Sequence, residues 1–212
     1  MLSLSIFSSS QTISVALYVN EKLDLYQEKI INTNKIDSLF LILKKVLGKK
    51  PKKIEKIIFS SGPGSYTALR SIKAIAQGLS IIYNAKIITV SEFEIYLSNL
   101  INNKKNSFVF FSSFKNFFYQ YFKYENNKYK FCPDYNCGGI DEVIKCITEK
   151  DIKEKPDLVI TTNSKNYKFI KGKNINKEII ICNPNAKKMA EAVFKGYGDS
   201  SIEILYHHTY YE

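Results

Sequence analysis

One decamer holds the residue types and spacing that chemistry could use: Ser61-Gly62-Pro63-Gly64-Ser65-Tyr66-Thr67-Ala68-Leu69-Arg70. Gly62 and Gly64 admit positive φ and close backbone approach, while Pro63 fixes its own φ and holds Gly62 to extended shapes. The run Ile54–Ser60 before them ends in apolar, β-branched and aromatic residues and reads as a buried strand. After them Leu69, Ile72, Ala76, Leu79 and Tyr83 recur at spacings of 3, 4, 3 and 4, the seam of an amphipathic helix. The join is strand, glycine loop, helix. Ser65 or Thr67 is placed to cap that helix, whose free N–H groups and positive dipole end would face an anion. Gly62, Gly64, Ser65 and Thr67 are therefore a candidate phosphate or anion loop. It is not a Walker A loop, because no Gly-Lys-Ser/Thr follows. Nor is it the dinucleotide fingerprint, since Thr67 stands at the third glycine position.

Arg70 is the single arginine among 31 basic residues. Arginine offers a planar fork that lysine cannot imitate, so a geometric requirement is the natural reading, beside chance with a hydrogen bond to a nearby carbonyl. Other chemistry is thin. Cys132, Cys137, Cys146 and Cys182 match no zinc spacing, and a chain of 212 residues needs no disulfide framework, so they read as reduced thiols. The two histidines, His207 and His208, are adjacent; on a strand they point to opposite faces and do not chelate one ion. No Ser/His/Asp or Cys/His arrangement is supported by spacing. No metal site and no catalytic residue is expected.

The formal charge of +11 invites a nucleic-acid partner. The densest cluster, Lys44, Lys45, Lys49, Lys50, Lys52, Lys53 and Lys56, lies between a helix and a strand, where a solvated loop is the preferred account. No apolar run approaches bilayer length, and Met1–Phe7 lacks a basic leader and flows straight into a strand pattern. A cytoplasmic protein is expected, with no membrane partner.

Stepping outward from the decamer, residues 2–8, 13–19 and 23–31 read as three strands, with Asn20-Glu21-Lys22 as a hairpin turn. Ile36, Leu39, Phe40, Leu43, Val46 and Leu47 mark a helix ending near Gly48. Residues 87–90 form one further strand. The polar stretch 102–106 divides the chain into lobes of 1–101 and 102–212. In the second lobe, 108–111, 117–124, 129–131, 158–161 and 178–182 read as strands, 140–147 and 186–194 as helices, and 205–208 as a closing strand.

Gly62-Pro63-Gly64-Ser65-Tyr66-Thr67-x-Leu69-Arg70, then Ala76-Gln77-Gly78-Leu79, resembles the signature of the TsaB (YeaZ-like) family. Val90-Ser91-Glu92-Phe93-Glu94 resembles the family's Val-Ser-Ser-Leu-Glu. The resemblance covers about residues 1–95. It implies an α/β chain of the actin-like, sugar-kinase-like class (ASKHA, ribonuclease H-like), built from duplicated β-β-β-α-β-α lobes of which the second is degenerate. It also implies a scaffold and activating subunit that dimerises with a catalytic TsaD-type subunit. That complex, with a TsaE-type ATPase, places a threonylcarbamoyl group on N6 of the adenosine 3′ to the anticodon in tRNA. This chain would meet tRNA only through the complex, and any ATP or ADP would be held there. A homodimer is the other pairing the family uses.

The family's acids are missing. Its Asp-Thr-Ser at the end of the first strand aligns with Phe7-Ser8-Ser9, and its Asp-Ala-Arg with Ser112-Ser113-Phe114. Phenylalanine neither coordinates Mg²⁺ nor acts as a base, which argues against a small-molecule phosphotransferase. Pairing through helices remains, and the resemblance gives Leu39, Leu43, Leu69, Ile72, Ala76, Leu79 and Tyr83 the contact role. Direct tRNA binding is the other alternative.

Overall fold

A computed structural model describes residues 1–8, 12–30, 35–48, 53–100, 105–113, 116–126, 128–129, 134–148, 158–161, 170, 175 and 177–205. The chain opens with an antiparallel meander: β1 (Leu2–Ser8), β2 (Thr12–Val19) and β3 (Lys22–Ile30). Leu4 stands opposite Leu17, and Leu17 opposite Leu25. Then follow α1 (Lys35–Leu47), β4 (Lys56–Gly62), α2 (Tyr66–Tyr83), β5 (Lys86–Ser91) and α3 (Glu92–Ser98). β4 lies parallel to β1 and β5 parallel to β4, so the sheet order is β3-β2-β1-β4-β5.

Strand alternation decides the two faces. Leu2, Leu4 and Ile6 point one way with Val15, Leu17, Ile57 and Phe59, into a core roofed by α1 and α2. Ser5, Phe7, Ser14, Ala16, Tyr18 and Ile58 point the other way, where Val90 and Ile95 join them.

The second half repeats the scheme. β6 (Ser107–Ser113) and β7 (Asn116–Phe122) pair antiparallel, β8 (Tyr124–Glu125) and β9 (Lys128–Tyr129) make a small ribbon, and β10 (Asn136–Gly138) joins β7. After α4 (Ile140–Thr148) come β11 (Leu158–Thr161) and β12 (Glu178–Ile181), each parallel to its neighbour. The order β10-β7-β6-β11-β12 copies the first sheet strand for strand and direction for direction. The copy is worn: β10 has 3 residues where β3 has 9. This is the duplicated α/β architecture expected.

The last helix, α5 (Ala186–Phe194), does not stay with the sheet that precedes it. It buries Ala186, Met189, Ala190 and Ala192 on the second face of the first sheet. Ser5 Oγ donates to the Ala186 carbonyl at 2.7 Å, and Ala186 N donates to Ser14 Oγ at 2.8 Å. Ser5 of β1 and Ser14 of β2, on the face opposite the aliphatic core, are thus the seat of a helix end. Beyond it, Thr89 and Asp199 exchange backbone bonds at 2.9 and 3.0 Å, extending the β5 edge. The compact units are therefore Met1–Ser98 with Pro184–Glu212, and Asn99–Asn183. The first boundary falls three residues before the expected 101, and the closing segment returns to the first unit instead of completing 102–212. Of the expected closing strand 205–208, Leu205 is irregular, and His207 and His208 lie outside the described residues, as do Cys132 and residues 130–131 of the expected strand 129–131.

Candidate functional site: the glycine loop and the helices beside it

β4 runs out at Gly62, whose φ is +100°, and the Gly62–Pro63 peptide is cis. A Cβ at Gly62 would stand 2.9 Å from Leu69 Cδ1 and 3.1 Å from the Leu205 carbonyl. One at Gly64 would stand 3.3 Å from Glu92 Oε1. Gly62 is thus demanded by its positive φ and the chain's own packing, while a Cβ at Gly64 would only crowd the Glu92 carboxyl: Leu69 folds back beneath the loop, and Leu205 N donates to the Ser61 carbonyl at 2.8 Å. Ser65 takes the N-cap position of α2 with extended backbone, but its hydroxyl makes no cap bond. Ser65 and Thr67 face outward, both exposed. The four anion-loop candidates divide accordingly: Gly62 and Gly64 press on the protein, and only Ser65 and Thr67 look to solvent.

Glu92 is the residue that the sequence reading passed over. It begins α3 directly after β5, is 7% exposed, and lies against Gly64. Burial alone pushes its carboxyl up to about 8, so it is mostly neutral near pH 7. The resembling motif has serine there, which was the available signal. Its neighbour Glu94 does structural work: Ser91 N donates to Glu94 Oε2 at 2.8 Å, and Glu94 N to Ser91 Oγ at 3.1 Å, a reciprocal capping box that starts α3. Gly198 N adds a bond to Glu94 Oε1 at 3.1 Å.

Phe7 stands where the superfamily's acid would be. It is fully buried in the apolar cluster with Ile58, Val90, Met189 and Ala190. Ser8 beside it is 8% exposed. Ser112, at the family's second acidic position, is exposed. Among the described residues no group of three His, Cys, Asp or Glu side chains converges as a metal site. No helix among them is long and apolar enough to cross a membrane.

The helix faces correct one expectation. Leu69, Ile72 and Ala76 are 2%, 1% and 0% exposed, and Leu39 and Leu43 are equally buried. Leu79 and Tyr83 pack half-buried against the same core. This seam faces the first sheet, so Leu39, Leu43, Leu69, Ile72 and Ala76 keep little free surface: an apolar stripe with a sheet beneath it is largely consumed by that sheet. What remains outside is different. Phe40 and Leu41 of α1 are 55% and 59% exposed, and Ile81 and Ile82 of α2 are 84% and 72% exposed. Between the helices lies a cavity of about 260 Å³, walled by Ile36, Leu39, Ala68 and Ile72 and rimmed by the hydroxyls of Ser65, Thr67 and Ser71. Arg70 lies on this outer surface with its Cζ 3.9 Å from the centre of the Tyr66 ring, four residues back along α2. A flat guanidinium stacks on that ring as an ammonium cannot, which gives the single arginine its geometric reason.

The chain is similar in sequence and in fold to known proteins. Residues 33–134 match the family described as TsaD, tRNA N6-adenosine threonylcarbamoyltransferase. The chain is 30% identical over 195 residues to tRNA threonylcarbamoyladenosine biosynthesis protein TsaB of Buchnera aphidicola subsp. Acyrthosiphon pisum (strain APS), covering 87% of this chain and 84% of that protein. The crystal structure of YeaZ from Pseudomonas aeruginosa superposes with a TM-score of 0.67 at 13% identity, covering 96% of this chain and 100% of that one. A protein of actin-like ATPase fold from Bacteroides thetaiotaomicron VPI-5482 superposes with a TM-score of 0.52 at 13% identity, covering 91% and 95%.

Proposed function

Because this chain belongs to the TsaB family of tRNA threonylcarbamoyladenosine biosynthesis proteins, we propose that it is the non-catalytic scaffold subunit that pairs with a TsaD-type catalytic subunit. The observation that carries this reading is the apolar surface left on α1 and α2 after both helices have covered their own sheet: Phe40, Leu41, Ile81 and Ile82. Exposed apolar residues on two neighbouring helices fit the desolvated centre of a protein interface. The catalytic partner supplies the reactive centre and transfers the threonylcarbamoyl group to N6 of adenosine in tRNA. A TsaE-type ATPase completes the complex, which works in the cytoplasm. The glycine loop, on this reading, launches α2 at the required angle, and Glu92 and Leu69 fix it from within.

Phosphoryl transfer by this chain has little to work with. A buried phenylalanine occupies the acid position, and the inner side of the loop is filled by Leu69 and a carboxyl group. Calorimetry with ATP and Mg²⁺ is expected to show no heat of binding to the isolated chain.

The deciding experiment is chromatography of the chain mixed with the TsaD-type subunit of the same cell. The wild-type pair is expected to co-elute. Ile82→Arg is expected to elute separately with its own melting temperature unchanged, because the side chain is 72% exposed in the free chain. Co-elution of Ile82→Arg and Phe40→Arg as strong as that of the wild type sinks the proposal.

A further inference from the structure

We propose that the end of the first sheet away from the glycine loop is a surface for the phosphate backbone of RNA, engaged while the chain sits in its complex. β3, β1, β4 and β5 run in one direction and β2 alone is reversed, so four strands start at this end. Three of them start on lysine: Lys22, Lys56 and Lys86. Lys86 N donates to the Glu55 carbonyl and Glu55 N to the Leu2 carbonyl, both at 2.9 Å, which ties the strand starts into one row beside Lys53. α1 adds two more. It begins beside the loop, where Ile36 and Leu39 wall the cavity with Ser8 and Ser65. Its 13 residues run about 18–20 Å, so Lys44 and Lys45 in the last turn reach the far end. Lys22, Lys44, Lys45, Lys53 and Lys86 are exposed, and Lys56 is half-buried. Among the described residues none of the six has a carboxylate within ion-pair distance.

Counted with the amino terminus, this end holds seven cations against Glu21, Asp24 and Glu55, so 7 − 3 = +4. The other formal charges of the same compact unit, seven of each sign among the described residues, cancel. The charge is gathered at one pole, not spread as a composition bias would leave it. Lys22 and Lys86 stand far in sequence from the 44–56 cluster, and only the strand order brings them to it. The chemistry is lysine throughout. A lysine head is a compact point charge that meets a phosphate from any direction, whereas a base edge calls for the planar fork of arginine. Backbone contact without sequence reading is what such a surface does. From Lys22 to Lys86 the row crosses four strand intervals, about 19 Å, room for several phosphates in succession. That the polyanion is RNA rests on the reading above, in which the complex modifies an adenosine of tRNA; the pole itself rests on placement.

The test follows fluorescently labelled total tRNA of the same cell by anisotropy at about 50–200 mM salt, with the full chain alone and paired with the TsaD-type subunit. The logarithm of Kd is expected to vary linearly with that of salt. Lys22→Gln/Lys56→Gln/Lys86→Gln is expected to lower the slope by about two to three and weaken low-salt binding tenfold or more, with melting temperature and co-elution unchanged. Lys29→Gln/Lys73→Gln/Lys187→Gln removes the same charge elsewhere on the unit and is expected to keep the wild-type slope. Equal losses in the two triple variants overturn the proposal, because net charge alone would then act. So does the absence of salt-dependent RNA binding, or tighter binding to phosphatidylglycerol vesicles or polyglutamate than to tRNA. Pole-dependent RNA binding by a chain that fails to co-elute supports this surface and overturns the reading of α1 and α2.

Discussion

The two faces of the first sheet are both covered by helices, yet they end differently. On one face α5 lays down Ala186, Met189, Ala190 and Ala192, and its N-terminus is tied to Ser5 and Ser14. Of the residues in that cluster, the helix's own apolar side chains are turned inward and little is left over. On the other face α1 and α2 fill the core with Leu39, Leu43, Leu69, Ile72 and Ala76, and still expose Phe40, Leu41, Ile81 and Ile82. Small residues bring α5 close and close the account on its side; broad apolar helices leave a surplus on the other. Surplus is what a binding surface needs; a closed face leaves nothing for a partner to cover.

The sharpest way to break this contrast is to put an acid back at Phe7. Here Phe7→Asp removes a buried ring, a change that costs about 3–5 kcal/mol for Phe→Ala in a core, and adds an unpaired carboxylate to an apolar cluster. The expected result is a chain that is unfolded or melts far below the wild type, since total stabilities are only about 5–15 kcal/mol. Thermal melts of Phe7→Asp and of Ile82→Asp decide it. The latter, on the open face, is expected to stay within about 0.5 kcal/mol. A well-folded Phe7→Asp protein would show that the face beneath α5 is not closed after all.

How much of this could be read from the chain alone follows from the same contrast. The strand alternation of β1 and the 69-72-76-79-83 seam were legible, because period 2 and period 3.6 are written directly in the residues. The seam's direction was not. A stripe records that something apolar covers it, not whether that cover is the chain's own sheet or another protein. The better signal was the surplus outside the stripe, Leu41 on α1 and Ile81 with Ile82 on α2; Phe40, counted in the α1 stripe, is itself exposed. The return of α5 was equally hidden, since Ser5 and Ser14 meet Ala186 only across about 170–180 residues of sequence. α3 was missed for another reason. Phe93, Ile95, Tyr96, Leu97 and Ser98 are all buried, so it lacks the polar face that periodicity detects. Only the Ser91-x-x-Glu94 capping box announced it.

Glu92 sharpens the comparison from the loop that joins the two faces. If the inner side of the glycine loop is as dry as the α5 face, the raised carboxyl has a consequence for folding. Its folded value is about 8 against 4.5 in the open chain, so between those values the folded state holds a proton that the unfolded state has lost. Stability then falls as pH rises through this window, by at most about 1.4 kcal/mol per pH unit, and levels off above it. Glu92→Gln removes the titration without removing the shape. Urea melts across the window are expected to show the variant gaining on the wild type as pH rises, with the gap constant beyond about 8. A gap that does not change with pH would mean that water reaches the carboxylate and the loop is open like the outer face.

The smallest effect belongs to Arg70, on the open side. Its guanidinium lies over Tyr66 at 3.9 Å in an exposed position, where such a contact is worth about 0.5–1 kcal/mol. Arg70→Lys keeps the charge and loses the flat stack, so a loss near the lower end is expected in the free chain. The cycle Tyr66→Leu, Arg70→Lys and the double variant separates the contact from the rest: a coupling of a few tenths of a kcal/mol in melts assigns the arginine to holding the first turn of α2. No coupling in melts, together with weaker pairing with the TsaD-type subunit, would move the arginine from the helix to the interface. That outcome would also enlarge the open face at the expense of the structural one, because the cation at the start of α2 would then be there for the partner's sake and not for the fold's.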